Sequence, residues 1–426
     1  MLKRIIYIFL LLISIKTYGQ RTNSSPYSFF GIGQEYSSQT VEQATMGGIG
    51  VSFSSIFHLN FINPAANSKL RFATFSAGLN VNDLKIKDNT GSQSSTSTSL
   101  SYINVGFPIG EKAGAAFGLR PNTSVGYSLL NVVNDTNGDP FEATRFFGSG
   151  GTNKIYGAFG ITVAKNLDLG FEAEYVFGKT ENNILSQRID AQLGTRNNEI
   201  TTIRGTGLKL GALYSKELAN KLQLSIGAAV KLESNLKTNG TEYLYSTLIQ
   251  ANGFESPRDT IYQAGISGNL KNPLQTTLGV GFGKENKWFA GVDYEFRDAL
   301  NIQGSLLTSS SGYTFANSNR VAFGGFYIPK INSISSYWDR VTYRAGVRFE
   351  DTGLLVKGSN SNFTKVKDFG ISFGLGLPLR DLSNLNIGVE YGKKGSTINN
   401  LIQENYFNFK LSLSLNDRWF VKRKID

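Results

Sequence analysis

His58 is the single histidine of the 426-residue chain, and histidine is the usual general base of serine hydrolases. Ser54 and Ser55 precede it, so a serine–histidine pair is the nucleophilic arrangement that this stretch offers. A packed or solvent-facing histidine is the commoner use of such a residue. The chain has no cysteine, and a metal site would depend on carboxylates alone, of which no cluster is evident. We therefore predict no enzyme activity, no metal and no cofactor.

A second motif, Asn63-Pro64-Ala65, stands in an apolar context just before the chain becomes strictly alternating. Proline lacks an N–H and biases the residue before it away from the helical region. The motif is either a kinked element that shapes a ligand pocket or lateral opening, or a turn that leads into the first strand. The residues alone leave both interpretations open.

Six charged residues occupy the polar faces of alternating segments and are expected to face the inside of the fold. They are Arg344, Arg348, Arg297, Glu295, Glu172 and Glu174. They form either a carboxylate-binding site for a lipid or a charge network that holds a plug to the wall, and we favour the network. The glycines of Gly279/Gly281/Gly283 and Gly374/Gly376 share these polar faces, where small residues make room for a plug rather than for a nucleotide.

The elements that position these residues are strands, because apolar residues recur at every second position through most of the chain. Phe369–Leu377 and Phe407–Leu415 are clear examples. Many segments run for about ten residues or more, the length that a tilted strand needs to cross a bilayer. Strands of soluble sandwiches are nearer five or six residues. The fold class is therefore all-β, a transmembrane antiparallel barrel.

Fourteen strands are expected, joined alternately by short turns and longer polar connections. Their predicted starts are Leu70, Thr98, Ala113, Asn153, Leu167, Ile200, Leu222, Leu274, Lys287, Asn319, Val341, Lys365, Leu385 and Gln403. Two stretches leave this number open. Residues 181–199 could extend their neighbours into a tall hairpin, and residues 237–272 could hide another pair of strands. The alternative number is sixteen.

The N-terminus predicts export across the inner membrane. Lys3 and Arg4 precede an apolar run too short to span a bilayer, so residues 1–19 are interpreted as a signal peptide cut after Gly19. Lys3, Arg4 and Lys16 lie in this segment, so its removal lowers the formal net charge of +11. An exported, aromatic-rich strand protein is a poor nucleic-acid binder, so outer-membrane lipid or lipopolysaccharide is the expected partner of the remaining charge.

Four regions follow from these patterns: the signal peptide, an N-terminal hatch at 20–69, a barrel at 70–416 and a periplasmic tail at 417–426. The hatch segment is glycine-rich, does not alternate, and is too apolar to hang in the periplasm, so we expect it inside the lumen as a plug. Trp288 and Trp338 adjoin predicted periplasmic connections, and Trp419 follows the last strand. The three tryptophans are expected in an aromatic girdle on the periplasmic rim.

This arrangement resembles the FadL-type family of outer-membrane barrels, which carry long-chain fatty acids and other hydrophobic compounds. The resemblance is carried by Asn63-Pro64-Ala65, by the glycine-rich Met46–Phe53 before it, and by the number of strands. It implies a porin-like barrel with an N-terminal hatch, and hence the binding or passage of a hydrophobic or lipidic ligand. In sequence, the resemblance is convincing only over about residues 25–80.

The C-terminal half looks like barrels of the Bacteroidota, for example in "YRAGVRFEDTG" and in the ending "LNDRWFVKRK". Barrels of that type include accessory subunits of secretion and surface-assembly machines. A non-transporting subunit bound to other outer-membrane proteins or lipoproteins is therefore the alternative function. A lipid-modifying barrel enzyme is a third, supported only by His58.

Overall fold

The computed structural model describes residues 23–250, 252–303, 312–379 and 382–418. The predicted signal peptide, its cut site and Trp419 lie outside these ranges. None of the helices within them is long and apolar enough to cross a membrane. The first and last barrel strands begin and end close to the predicted limits of 70 and 416, at Ala73 and Asp417.

Fourteen antiparallel strands form the wall, and they confirm both the fold class and the predicted number. The strands are β1 Ala73–Lys87, β2 Ser92–Ile109, β3 Ala113–Val125 continued by Ser128–Asn134, β4 Pro140–Ala164, β5 Leu167–Arg188, β6 Leu193–Glu217, β7 Leu222–Lys231 continued by Ser234–Ile249, β8 Glu255–Asn272 continued by Gln275–Lys284, β9 Trp288–Arg297 continued by Asn301–Gln303, β10 Tyr313–Phe315 continued by Ser318–Tyr327, β11 Thr342–Lys357, β12 Phe363–Pro378, β13 Asn384–Gly395 and β14 Gln403–Asp417.

The barrel is closed, because β1 pairs with β14 along its whole length, from Ala73 opposite Asp417 to Lys87 opposite Gln403. Every other strand pairs with its neighbours in chain order. Both chain ends of the barrel therefore lie at one rim, which we call the chain-end rim. The opposite end is called the loop rim.

Both stretches that left the number of strands open are strand, and they extend their neighbours instead of adding a pair, which rules out sixteen strands. Residues 181–199 belong to a tall hairpin of β5 and β6, and 237–272 to another of β7 and β8. Their alternation is weak because polar residues occur on both faces of these upper portions. Conversely, the connection between β10 and β11 at the chain-end rim is long, although short turns were expected there.

The period-two pattern places large apolar side chains on the outside of the wall. Phe373 on β12 and Phe407 on β14 are about half exposed, at 56% and 46%, as are many residues at equivalent positions of other strands. Their polar-face neighbours Ser372 and Ser412 are buried inside. An apolar belt around a closed barrel is the surface that outer-membrane barrels present to lipid.

The N-terminal segment, residues 23–72, lies inside this ring. It contains 3-10 helices Pro26–Phe29 and Pro64–Lys69 and a short helix α1, Val41–Ala44, closed by a capping box of Thr40 and Gln43. A two-residue strand, Gln34–Glu35, pairs with β3. Three more 3-10 turns lie in connections, at Ala219–Lys221, Trp338–Arg340 and Ile398–Asn400.

Candidate functional site: the N-terminal segment and the lumen

Asn63-Pro64-Ala65 starts the 3-10 helix Pro64–Lys69 and ties it to the wall. The side-chain oxygen Oδ1 of Asn63 accepts the Ala65 N–H at 3.1 Å, and Pro64 occupies the first helical position, where no N–H is needed. The Asn63 amide donates to Val51 O at 2.7 Å and to Ala212 O of β6 at 2.9 Å. One fully buried side chain thus joins the helix, the preceding turn and the barrel.

Glycines on three adjacent strands make room for this motif. A Cβ on Gly160 of β4 would lie 2.7 Å from Pro64 O, and one on Gly170 of β5 would lie 2.4 Å from Ala65 N. A Cβ on Gly211 of β6 would lie 2.2 Å from Asn63 Oδ1. Such distances are impossible for real side chains, so the wall accepts the motif only because these positions are glycine.

The same contact recurs around the lumen. A Cβ on Gly227 of β7 would lie 2.0 Å from Val51 O, and one on Gly324 of β10 would lie 2.1 Å from Met46 O. Gly374, which the sequence analysis assigned to a plug-facing position, would meet Thr45 at 2.5 Å. The backbone of the N-terminal segment therefore touches the wall on several sides.

Buried carboxylates of the wall hold the segment by its own polar groups. Asp293 of β9 accepts the N–H groups of Gly50 and Val51, at 2.7 and 2.9 Å. Asp168 of β5 pairs with Lys69 at 2.8 Å. Backbone amides aimed at a buried carboxylate form strong, directional bonds.

His58 contacts a carboxylate rather than a nucleophile. Its Nδ1 lies 3.4 Å from Glu42 Oε1, while the Ser55 hydroxyl accepts the backbone N–H of Phe57 and of His58. Glu42 also accepts the Asn386 amide of β13 at 2.8 Å. Burial raises the pKa of the Glu42 carboxyl, but its contact with His58 and the charge of Arg344 outweigh burial and lower that pKa to about 2.

Glu172 and Glu174 point inward from β5, and each bridges two cations. Glu172 lies 2.7 Å from Arg120 and 3.1 Å from Lys209. Glu174 lies 3.2 Å from Lys154 and 2.6 Å from Lys231. Lys209 also donates to Phe61 O of the N-terminal segment at 2.8 Å, so this network reaches the segment directly.

The four remaining predicted charges form separate contacts. Arg348 pairs with Asp368 and Glu390, each at 3.1 Å, and Arg344 donates to Asn386 at 3.0 Å. Arg297 pairs with Glu35 of the N-terminal segment, and Glu295 lies 3.1 Å from Arg320. The sequence placed all six charges on inward faces. It could not identify the partners of Glu172 and Glu174, because these lie on other strands, at distances set by register. The partners are Arg120, Lys154, Lys209 and Lys231.

A cavity of about 410 Å³ remains between the N-terminal segment and the wall, and fifteen charged side chains line it. Apolar residues such as Val41 and Leu84 line it as well. Within the described ranges, no group of three or more histidine, aspartate or glutamate residues has the arrangement of a metal site.

Two of the three predicted girdle tryptophans are described, and both lie at the chain-end rim. Trp288 begins β9, and Trp338 begins the 3-10 turn in the long connection before β11, where its side chain is 61% exposed. Their position agrees with the predicted side of the barrel, and their role as a girdle stays a prediction.

A closed fourteen-stranded wall with an N-terminal segment packed in its lumen is the fold of FadL-type barrels. The chain belongs to the BamG family, whose model matches residues 1–426. No curated protein matches the sequence.

Solved structures of FadL-type channels share the fold. A Pseudomonas aeruginosa FadL homologue superposes with a TM-score of 0.60 at 14% identity, over 90% of this chain and 99% of that one. The Pseudomonas putida toluene transporter TodX gives 0.59 at 16% identity, over 90% and 99%. The monoaromatic hydrocarbon channel CymD gives 0.54 at 14%, over 88% and 97%. Identities this low establish the common fold alone.

Proposed function

We propose that the protein is a non-transporting barrel with a closed lumen, and that it works as an accessory subunit of an outer-membrane secretion or surface-assembly complex. The observation that carries this proposal is the contact between the N-terminal segment and the wall. Backbone meets glycine at Gly160, Gly170 and Gly227, with no side chain between them that could rotate away. Opening a path there would require the whole segment to move.

The chemistry of the remaining cavity supports the same proposal. A route for hydrophobic molecules gains affinity from apolar lining, whereas charged groups in a route must be desolvated when such a molecule enters. Fifteen charged side chains line this cavity. Membership of the BamG family adds a reason to look for protein partners rather than for a solute.

The test is purification of the tagged protein from its native outer membrane in mild detergent. We expect other outer-membrane proteins or lipoproteins to co-purify at fixed ratios, and these ratios to persist after cross-linking in intact cells. Isolation of the barrel alone under both conditions would contradict the proposal. A tagged barrel of similar abundance from the same membrane serves as the control for nonspecific capture.

Passage of hydrophobic molecules is the second candidate, favoured by the shared fold of the FadL homologue and TodX. In this function, Asn63-Pro64-Ala65 would belong to a moving gate. Replacing Asn63 and Pro64 by alanine should then change uptake of monoaromatic or long-chain solutes by cells that depend on this barrel. Unchanged uptake of every solute tested, by a variant that still assembles, would remove the gate function.

A further inference from the structure

Four basic side chains on one side of the lumen line the cavity together. Arg120 projects from β3, Lys154 from β4, Lys209 from β6 and Lys231 from β7. The carboxylates that pair with them, Glu172 and Glu174 on β5, are not among the residues that line it. The cavity therefore meets the positive side of this network, which we call the cationic wall.

Charge in the cationic wall does not balance. Each carboxylate is shared by two basic side chains, so the cluster carries a net charge of +2 when all four bases are protonated. The side chains of Arg120 and Lys154 are 2% and 5% exposed. Buried charge without a counter-charge is costly, and a bound anion is one way to supply it.

Two hydrogen-bond donors of Arg120 have no partner among the described residues, although both are covered from water. Its Nη2 donates to Glu172, whereas Nε and Nη1 are buried and have no hydrogen-bond partner within the described part of the chain. The guanidinium lies 3.7 Å from the Tyr156 ring centre and 4.8 Å from that of Phe61, which fixes its plane. A fixed guanidinium with unused donors is preorganised for a phosphate or carboxylate.

The opposite wall of the same cavity shows that this excess is local. There Arg348 and Lys410 pair with Asp368 and Glu390, and all four side chains line the cavity. Two cations meet two carboxylates, so this second cluster needs no further counter-charge. It provides a matched control with the same residue types in the same lumen.

We propose that the cationic wall binds an anionic group, a phosphate or a carboxylate, in the cavity beside Arg120 and Lys154. A cavity of about 410 Å³ has room for such a group with several waters. The group belongs either to a small soluble anion or to a lipid head group. Because Lys209 also holds Phe61 O, binding stabilises the N-terminal segment in its lumenal position.

Thermal unfolding of the full-length protein in neutral detergent, at constant ionic strength, tests the site. Inorganic phosphate should raise the unfolding temperature saturably, and chloride should not. Lys154→Met should lose this increment. Lys410→Met lowers the starting stability through the balanced cluster, but should keep the increment. The proposal would be overturned if neither inorganic phosphate nor the lipids compared below stabilised the unchanged protein. It would also be overturned if Lys154→Met kept the full phosphate increment.

Glu174→Gln provides a second variant with the opposite sign. It removes one of the two counter-charges, so half-saturation should occur at roughly three- to tenfold lower phosphate. An unchanged half-saturation in Glu174→Gln would count against the site, because a merely structural cluster predicts no gain. Comparing short-chain phosphatidic acid with phosphatidylcholine of the same chains separates the two sources. A larger effect of the phosphatidic acid than of inorganic phosphate supports the head group, and a phosphate effect alone supports the soluble anion.

Discussion

At the scale of single residues, the Asn63 side chain joins the 3-10 helix, the preceding turn and the barrel wall. Asn63→Ala removes two donated hydrogen bonds and the cap of the Ala65 N–H, all in fully buried surroundings. Each unsatisfied buried group costs about 1–3 kcal/mol, so we expect a loss of roughly 3 kcal/mol in unfolding free energy. Denaturant unfolding in detergent measures it. Asn89→Ala, which removes one exposed 3.3 Å bond, should change little; equal effects would contradict the argument.

The lowered pKa of the Glu42 carboxyl predicts that the stability of the folded protein depends on pH. Its pKa falls from 4.5 to about 2 in the folded protein, so the folded state binds fewer protons than the unfolded state between these values. The stability that the Glu42 carboxylate contributes is complete above about pH 4.5 and is lost as the pH falls toward 2. The unfolding temperature of the unchanged protein should therefore drop more steeply over this range than that of Glu42→Gln. Parallel curves for the two proteins would show that Glu42 contributes no such term.

The inward faces of single residues could be predicted from the sequence, whereas their contacts could not. Period-two alternation is enough to place Glu172 and Arg348 inside a barrel. It cannot say that Lys209 reaches both Glu172 and Phe61 O, because that depends on strand register and on the path of a segment without periodicity. The sequence likewise leaves the role of His58 open, because it does not show that Glu42 lies beside it.

At the scale of elements, glycine on the inward face decides whether the N-terminal segment fits. Gly170→Val puts a branched side chain where its Cβ alone would lie 2.4 Å from Ala65 N, so either the segment or strand β5 must move. We expect a markedly lower unfolding temperature, as is usual when a well-packed interior is overfilled. Gly265→Val on β8, where nothing lies within 4 Å of the added Cβ, is the control and should be nearly neutral. A similar loss in both variants would mean that strand glycines matter for another reason.

Strand starts at the chain-end rim could be predicted, for example Leu167 and Leu222, but limits at the loop rim could not. Strand β4 begins at Pro140 rather than Asn153, and β8 begins at Glu255 rather than Leu274. Alternation indicates a strand only where one face is apolar and the other is not. Above the apolar belt polar residues occur on both faces of β7 and β8, and their hydrogen-bonded ladder continues from Ser234 opposite Asn272 to Ile249 opposite Glu255 without that signal. Polar composition there hides the strands from a pattern that depends on apolar alternation.

At the scale of the whole molecule, the two candidate functions differ in whether the N-terminal segment leaves its place. A fixed plug exchanges its buried amides only when the barrel itself opens, whereas a gate exchanges them through a local, cheaper opening. The amides of Gly50 and Val51, bonded to Asp293, report on this difference. Hydrogen exchange of the protein in detergent should show them protected as long as amides of β12 and β13, while Gly253 at a hairpin tip exchanges fast. A gate would give the opposite result: the Asp293-bonded amides would exchange faster than amides of the wall, and a hydrophobic solute would increase their exchange further.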